Sequence, residues 1–226
     1  TSPGFAGDVG GVGGEAPRDA LRWNQTALAS LLGYAQSQRS SAVIVVHRGE
    51  RIAERYWSVD ARAGSPYRNQ LWGRADSGAP VEDVASLQKS IVSTLVGIAV
   101  DKGLIELEAP VSTYLREGWS SAGCDEESAI SVRHLLSMTS GLSPALAYQA
   151  PAGTVWLYNT RAYSKVVDVL EAVTGEGVVS LTGRWLTVPL GMNDTEWRPR
   201  PWVTPGMDAN SVGLFTTARD LVRFGE

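Results

Sequence analysis

The sequence predicts an α+β fold, a helical region plus an antiparallel sheet, on three observations. A β-branched run, Ala42-Val43-Ile44-Val45-Val46, is followed by Arg48-Gly49-Glu50 and then by Ile52-Ala53-Glu54-Arg55-Tyr56-Trp57, the pattern of a hairpin. From Ser86 to Asp101, apolar residues (Leu87, Ile91, Val92, Leu95, Val96, Ile98, Ala99, Val100) cover most of a helical circumference, as in a helix buried inside a domain. Downstream of that helix come further helical stretches and no convincing strand pair.

Taken in order, residues 1–14 hold six glycines (Gly4, Gly7, Gly10, Gly11, Gly13, Gly14), a composition with maximal backbone entropy and little to bury. Residues 1–20 are therefore expected to form a flexible arm, and 21–226 the folded domain. No Gly-Lys-Ser/Thr follows the glycines, so they do not form a phosphate loop. Leu28, Leu31, Leu32 and Tyr34 predict an amphipathic helix ending before Ser40. Residues 58–83 are polar and turn-rich, and Gly103 stops the long apolar helix. Shorter helices are expected at 111–116, 131–138, 161–174, 177–186 and 217–225. A two-stranded hairpin is marginal by itself, so either helices cover it or strands of its sheet lie outside this chain.

The 226 residues, 43% hydrophobic and 19% charged, have the composition of a globular chain rather than a disordered one. A net charge of -4 and a pI near 5.3 argue against nucleic acid as a partner. His47, His134 and Cys124 are the whole His and Cys complement, too few for a Cys/His zinc site or an internal disulfide. The longest apolar stretch, Ile91 to Val100, is shorter than the roughly 20 residues of a membrane span. The chain begins Thr1-Ser2-Pro3, without the charged start and apolar core of a signal peptide. The sequence leaves its compartment open.

The chemistry centres on Ser86-Leu87-Gln88-Lys89, which puts a hydroxyl in the first turn of the apolar helix and an amine three residues on, on the same face. A serine hydroxyl attacks only when a base takes its proton, and lysine can serve when burial or nearby positive charge favours the neutral amine. The helix N-terminus also directs N–H groups and the positive end of its dipole at an anion forming beside Ser86. With 22 Ser and three Lys, chance supplies about 0.3 such tetrapeptides, so the context matters. Lysine is scarce against 17 Arg, and this one lies on an otherwise apolar helix where an unpaired ammonium is expensive. An N-cap serine beside a snorkelling lysine is the alternative. Trp156-Leu157-Tyr158-Asn159-Thr160 follows a Pro151/Gly153 turn; Tyr158 either fills the core or serves as a phenolic proton shuttle beside a lysine. His134 sits between apolar neighbours, a structural setting. No pattern surrounds Cys124, which reads as an incidental thiol.

The order and flanks of these segments resemble the serine β-lactamase and penicillin-binding-protein superfamily, especially its class C β-lactamase and esterase branch, from about Ala42 to Glu226. Val45-Val46-His47-Arg48-Gly49-Glu50 is similar to the first hairpin of that fold, and Val84-Ala85-Ser86-Leu87-Gln88-Lys89-Ser90 to its nucleophile helix. Leu104-Ile105-Glu106-Leu107, Pro110-Val111 and Tyr114-Leu115 resemble the following segment. Ile130-Ser131-Val132-Arg133-His134-Leu135-Leu136-Ser137-Met138-Thr139-Ser140-Gly141-Leu142 resembles the family's most recognisable helix and turn. Pro151 to Tyr163 is similar to its tyrosine loop, and Thr216-Thr217-Ala218-Arg219-Asp220-Leu221 to its next helix. Several segments in this order are far more specific than S-x-x-K.

The resemblance implies a β-lactamase/transpeptidase-like fold and a serine hydrolase without metal or organic cofactor. Ser86 is then the acylated nucleophile, Lys89 its proton partner and Tyr158 the general base, acting on a small-molecule ester, amide or β-lactam. Where the family has Y-x-N, this chain has Tyr158-Asn159-Thr160, so Thr160 takes the substrate-binding place of the amide and ester or amide cleavage gains ground over lactamase action. No K-T-G or H-T-G follows Tyr158. That absence and the strand shortage together lead to the expectation that the C-terminal sheet strands are missing from this chain, that a C-terminal segment or second chain completes the sheet, and that residues 1–226 alone are poorly stable and nearly inactive. A catalytically weak scaffold or binding protein on the same fold is the alternative reading.

Overall fold

A computed structural model describes residues 23–60, 69–204, 207 and 209–226. The expected arm over 1–20 lies outside the described residues. The chain divides into two compact units, one ending at Ser58 and the other beginning at Val59.

In the first unit, helix α1 (Gln25–Ser37) is N-capped by Asn24, whose Oδ1 accepts from Ala27 N at 2.9 Å. Strands β1 (Ala42–His47) and β2 (Glu50–Tyr56) pair antiparallel, Ala42 opposite Tyr56 and His47 opposite Glu50. Arg48 and Gly49 join them with φ of 51° and 75°, the positive pair that suits the twist of a tight hairpin.

The second unit corrects the expectation that no strand pair follows the hairpin. Strands β3 (Leu71–Arg74), β4 (Pro80–Asp83), β5 (Glu196–Pro199) and β6 (Val212–Thr216) form an antiparallel sheet in the order β3-β4-β6-β5. Three of these strands have only four residues and carry Gly73, Pro80, Glu82, Asp83, Glu196 and Pro199, residues that strand propensity disfavours. β4 and β5 are strands because β6 pairs with both, Asp83 with Phe215 and Trp197 with Leu214, and β3 pairs in turn with β4.

Helix α2 (Gln88–Asp101) runs through the core, with Ile91, Val92, Leu95, Val96 and Ala99 all buried. Around it pack α5 (Val132–Leu136) through Val132 and Leu135, α6 (Thr160–Thr174) through Val166, Val169 and Leu170, and β6 through Leu214. Short helices α3 (Ser112–Leu115) and α4 (Cys124–Ser128) lie between α2 and α5 in the chain. The helix expected at 177–186 is α7 (Val178–Thr182), followed by a π-turn over Gly183–Thr187 and by α8 (Val188–Leu190). The last element, α9 (Ala218–Gly225), is N-capped by Thr217. No helix among the described residues is long and apolar enough to cross a membrane.

Candidate active site

Strand β4 ends at Asp83, and the chain turns through a single 3-10 turn, Ala85–Leu87, into α2. Ser86 occupies that turn and is exposed, while Lys89, one helical turn on, is half-buried. The i, i+3 spacing does what the sequence predicts: Lys89 Nζ donates to Ser86 Oγ at 3.2 Å.

Tyr158 arrives from the opposite direction. Its loop is tied to the segment after α5, where Gly153 N donates to Thr139 O at 2.8 Å and Leu157 N to Met138 O at 3.0 Å. Gly141 permits the close approach: its φ is 72°, and an added Cβ would lie 2.0 Å from Ala150 O. Asn159 completes the anchorage from a position only 2% exposed. Its Nδ2 donates to Leu142 O and Ser143 O, each at 2.9 Å, and its Oδ1 caps α6 by accepting from Ala162 N at 3.0 Å. Both ends of this amide are thus taken up in holding the loop.

Tyr158 OH consequently lies 2.5 Å from Ser86 Oγ and accepts from Lys89 Nζ at 3.0 Å. Three side chains 72 positions apart at the extremes close a triangle of polar atoms. Lys89 Nζ sits 5.0 Å from the Tyr158 ring centre, at its hydroxyl end, and 5.7 Å from that of Tyr163. Tyr163 OH donates to Lys89 O at 2.7 Å, and burial pushes its phenol up to about 12, which keeps it a donor.

Beside the triangle opens a cavity of about 290 Å³, lined by Ser86, Lys89, Thr160, Asn69, Trp202 and Asn210 among others. Thr160 is the first residue of α6, 8% exposed, and faces this cavity. His134 lies elsewhere, in the capping box of α5, where its Nδ1 accepts from Ser131 N at 3.1 Å. Cys124 is exposed at the start of α4.

Sequence reasoning passed over four residues. Tyr163 belongs to the apolar face of α6, and its contact with Lys89 has no sequence signal. Gln88 had one, a polar residue on an apolar helix; it is 4% exposed. Asp83 and Arg200 form a buried ion pair 117 positions apart, and no local pattern joins them.

A family model described as Beta-lactamase matches residues 25–226. An uncharacterized protein of Alkalihalophilus pseudofirmus is 22% identical over 204 residues, covering 82% of this chain and 57% of that protein. The D-alanyl-D-alanine-carboxypeptidase/endopeptidase AmpH of Escherichia coli K12 is 25% identical over 193 residues, covering 74% of this chain and 48% of that protein. A crystal structure described as a class C beta lactamase superposes with a TM-score of 0.65 at 19% identity, covering 93% of this chain and 66% of that one. The chain thus spans about half the length of the curated relatives it matches.

Proposed function

The chain belongs to the beta-lactamase family, and on that premise we propose that it is a serine hydrolase forming an acyl-enzyme at Ser86 on an ester, amide or β-lactam carbonyl. The observation that carries this reading is the triangle of Ser86 Oγ, Tyr158 OH and Lys89 Nζ, with sides of 2.5, 3.0 and 3.2 Å.

In the first half-reaction Tyr158 acts as the phenolate: Ser86 Oγ attacks the carbonyl carbon while its proton passes to that phenolate oxygen along the existing hydrogen bond. Negative charge on either oxygen faces the Lys89 ammonium, which donates to both. The tetrahedral oxyanion is met by the Ser86 backbone N–H at the entry to α2, where the helix dipole is positive. Collapse expels the alcohol, amine or lactam nitrogen, which takes the proton back from Tyr158 and leaves an ester on Ser86. Water then attacks that ester, with the same groups moving its proton in reverse order.

Thr160 lines the cavity and offers a hydroxyl to the substrate. A second reading, a weakly catalytic scaffold or binding protein, is favoured by one observation: the Asn159 amide is taken up by the Leu142 and Ser143 carbonyls, and a hydroxyl stands at 160. A panel of p-nitrophenyl esters, nitrocefin and a D-Ala-D-Ala peptide separates the two. For the complete protein, the hydrolase reading expects turnover of at least one substrate and its loss in Ser86→Ala; equal turnover in wild type and variant contradicts it.

A further inference from the structure

The residue before the nucleophile, Ala85, has a φ of 47°. A side chain with a Cβ adopts that left-handed conformation at a cost of roughly tenfold in population, so something must hold it there. Asp83 does: its Oδ1 accepts from Ala85 N at 2.8 Å. Asp83 is itself gripped from behind by Arg200, with Nε to Oδ2 and one terminal nitrogen to Oδ1, both at 2.6 Å. The same nitrogen donates to Gln88 Oε1 at 3.1 Å, and that oxygen also accepts from Leu214 N at 3.1 Å. Residues on both sides of Ser86 are therefore tied, through one guanidinium, to the sheet. The sheet is shaped to seat it: a Cβ added at Gly213 would lie 2.3 Å from Arg200 Nε.

Ion pairs this deeply buried, with side chains 8% and 5% exposed, are poor stabilisers relative to apolar packing. This one converges on the backbone of the S-x-x-K turn instead. We propose that Asp83 and Arg200 are positioning residues that hold Ala85 in its left-handed conformation and so aim Ser86 Oγ and the Ser86 N–H at the acyl carbon. The proposal rests on the acyl-enzyme reading above. Arg200 acts through Asp83, and Asp83 through Ala85; both also border the cavity, but this role does not depend on touching the substrate.

The test uses the complete protein with a fluorophosphonate as probe, and reads the rate of covalent labelling at a temperature where circular dichroism shows each variant folded. Asp83→Asn puts an amide N–H against the Arg200 fork, so the grip on Ala85 N or on Arg200 is lost. Labelling is expected to slow about tenfold or more. The decisive comparison is the double variant Asp83→Asn/Ala85→Gly. Glycine adopts positive φ without strain, so it should recover labelling to within about threefold of Ala85→Gly alone, which a merely structural ion pair would not allow. If Asp83→Asn does not fold, the neutral pair Asp83→Asn/Arg200→Gln replaces it in both comparisons.

Labelling at the wild-type rate in Asp83→Asn, or a double variant as slow as the single one, overturns the proposal. If the wild-type chain labels no faster than Ser86→Ala, it is the acyl-enzyme reading that falls. Amide exchange then decides the proposal separately: faster exchange at Ala85 N in Asp83→Asn supports it, and unchanged exchange overturns it.

Discussion

Replacing Tyr158 by Phe removes one oxygen from the triangle and leaves the rest of the architecture in place. The ring is 45% exposed, and its loop is held by Gly153 N, Leu157 N and Asn159, none of which needs the hydroxyl. Stability should change by no more than about 0.5 kcal/mol. Reactivity should not escape so lightly. The variant loses the acceptor 2.5 Å from Ser86 Oγ, and general acid–base groups of this kind contribute ~10² to 10⁴ in rate, or about 2.7 to 5.5 kcal/mol of barrier. The Lys89 ammonium still donates to Ser86 Oγ and the Ser86 N–H still faces the oxyanion, so charge stabilisation survives and the loss is incomplete. The assay is steady-state hydrolysis of a p-nitrophenyl ester, with rapid mixing to resolve an acylation burst. The expected result is a lower kcat with KM little changed. A fall of less than about threefold, or a change confined to KM, would refute the assignment of Tyr158 to proton transfer.

Three further outcomes follow from the same geometry. Gly213→Ala should lower stability by about 1 to 3 kcal/mol, seen as a drop of several degrees in Tm, because the new methyl meets the Arg200 guanidinium. Burial pushes the Tyr163 phenol from 10.0 up to about 12, so above pH ~10 the native state holds a proton that the unfolded chain has lost. Stability should then fall as pH rises from about 10 to 12, and Tyr163→Phe should abolish that slope in urea titrations while losing about 1 kcal/mol at pH 7 with its bond to Lys89 O. Asp194 is pushed up, first by burial and then by the Asp220 carboxylate. Its ionised form therefore opposes folding at neutral pH and ceases to do so as pH falls through its native value. Asp194→Asn should be more stable than wild type at pH 7 by less than about 1 kcal/mol, with the difference vanishing below pH ~4.

What the sequence revealed and what it hid divide along the range of the interactions. The β1–β2 hairpin, α2, α6 and α9 are local elements, marked by a continuous β-branched run, an apolar circumference, or apolar spacing closed by Gly175. Ser86 and Lys89 share a helical turn, so their contact could be read from spacing; Tyr158 joined them only through the resemblance. The four-stranded sheet was invisible because Pro80–Asp83 and Glu196–Pro199 resemble turns until β6 pairs with both. Asp83 and Arg200 were missed for the same reason: their bond is a product of that sheet. Asn159, given no role in the sequence reading, proves to be a helix cap whose side chain also holds carbonyls 16 and 17 positions earlier.

If Ser86 Oγ is the atom that becomes acylated, mass spectrometry of the protein after reaction with a fluorophosphonate or a fluorescent penicillin reveals it directly. The expected result is one adduct per chain, mapped by peptide fragmentation to Ser86, absent in Ser86→Ala and formed much more slowly in Tyr158→Phe. An adduct on another residue, or equal labelling of wild type and Ser86→Ala, would contradict it.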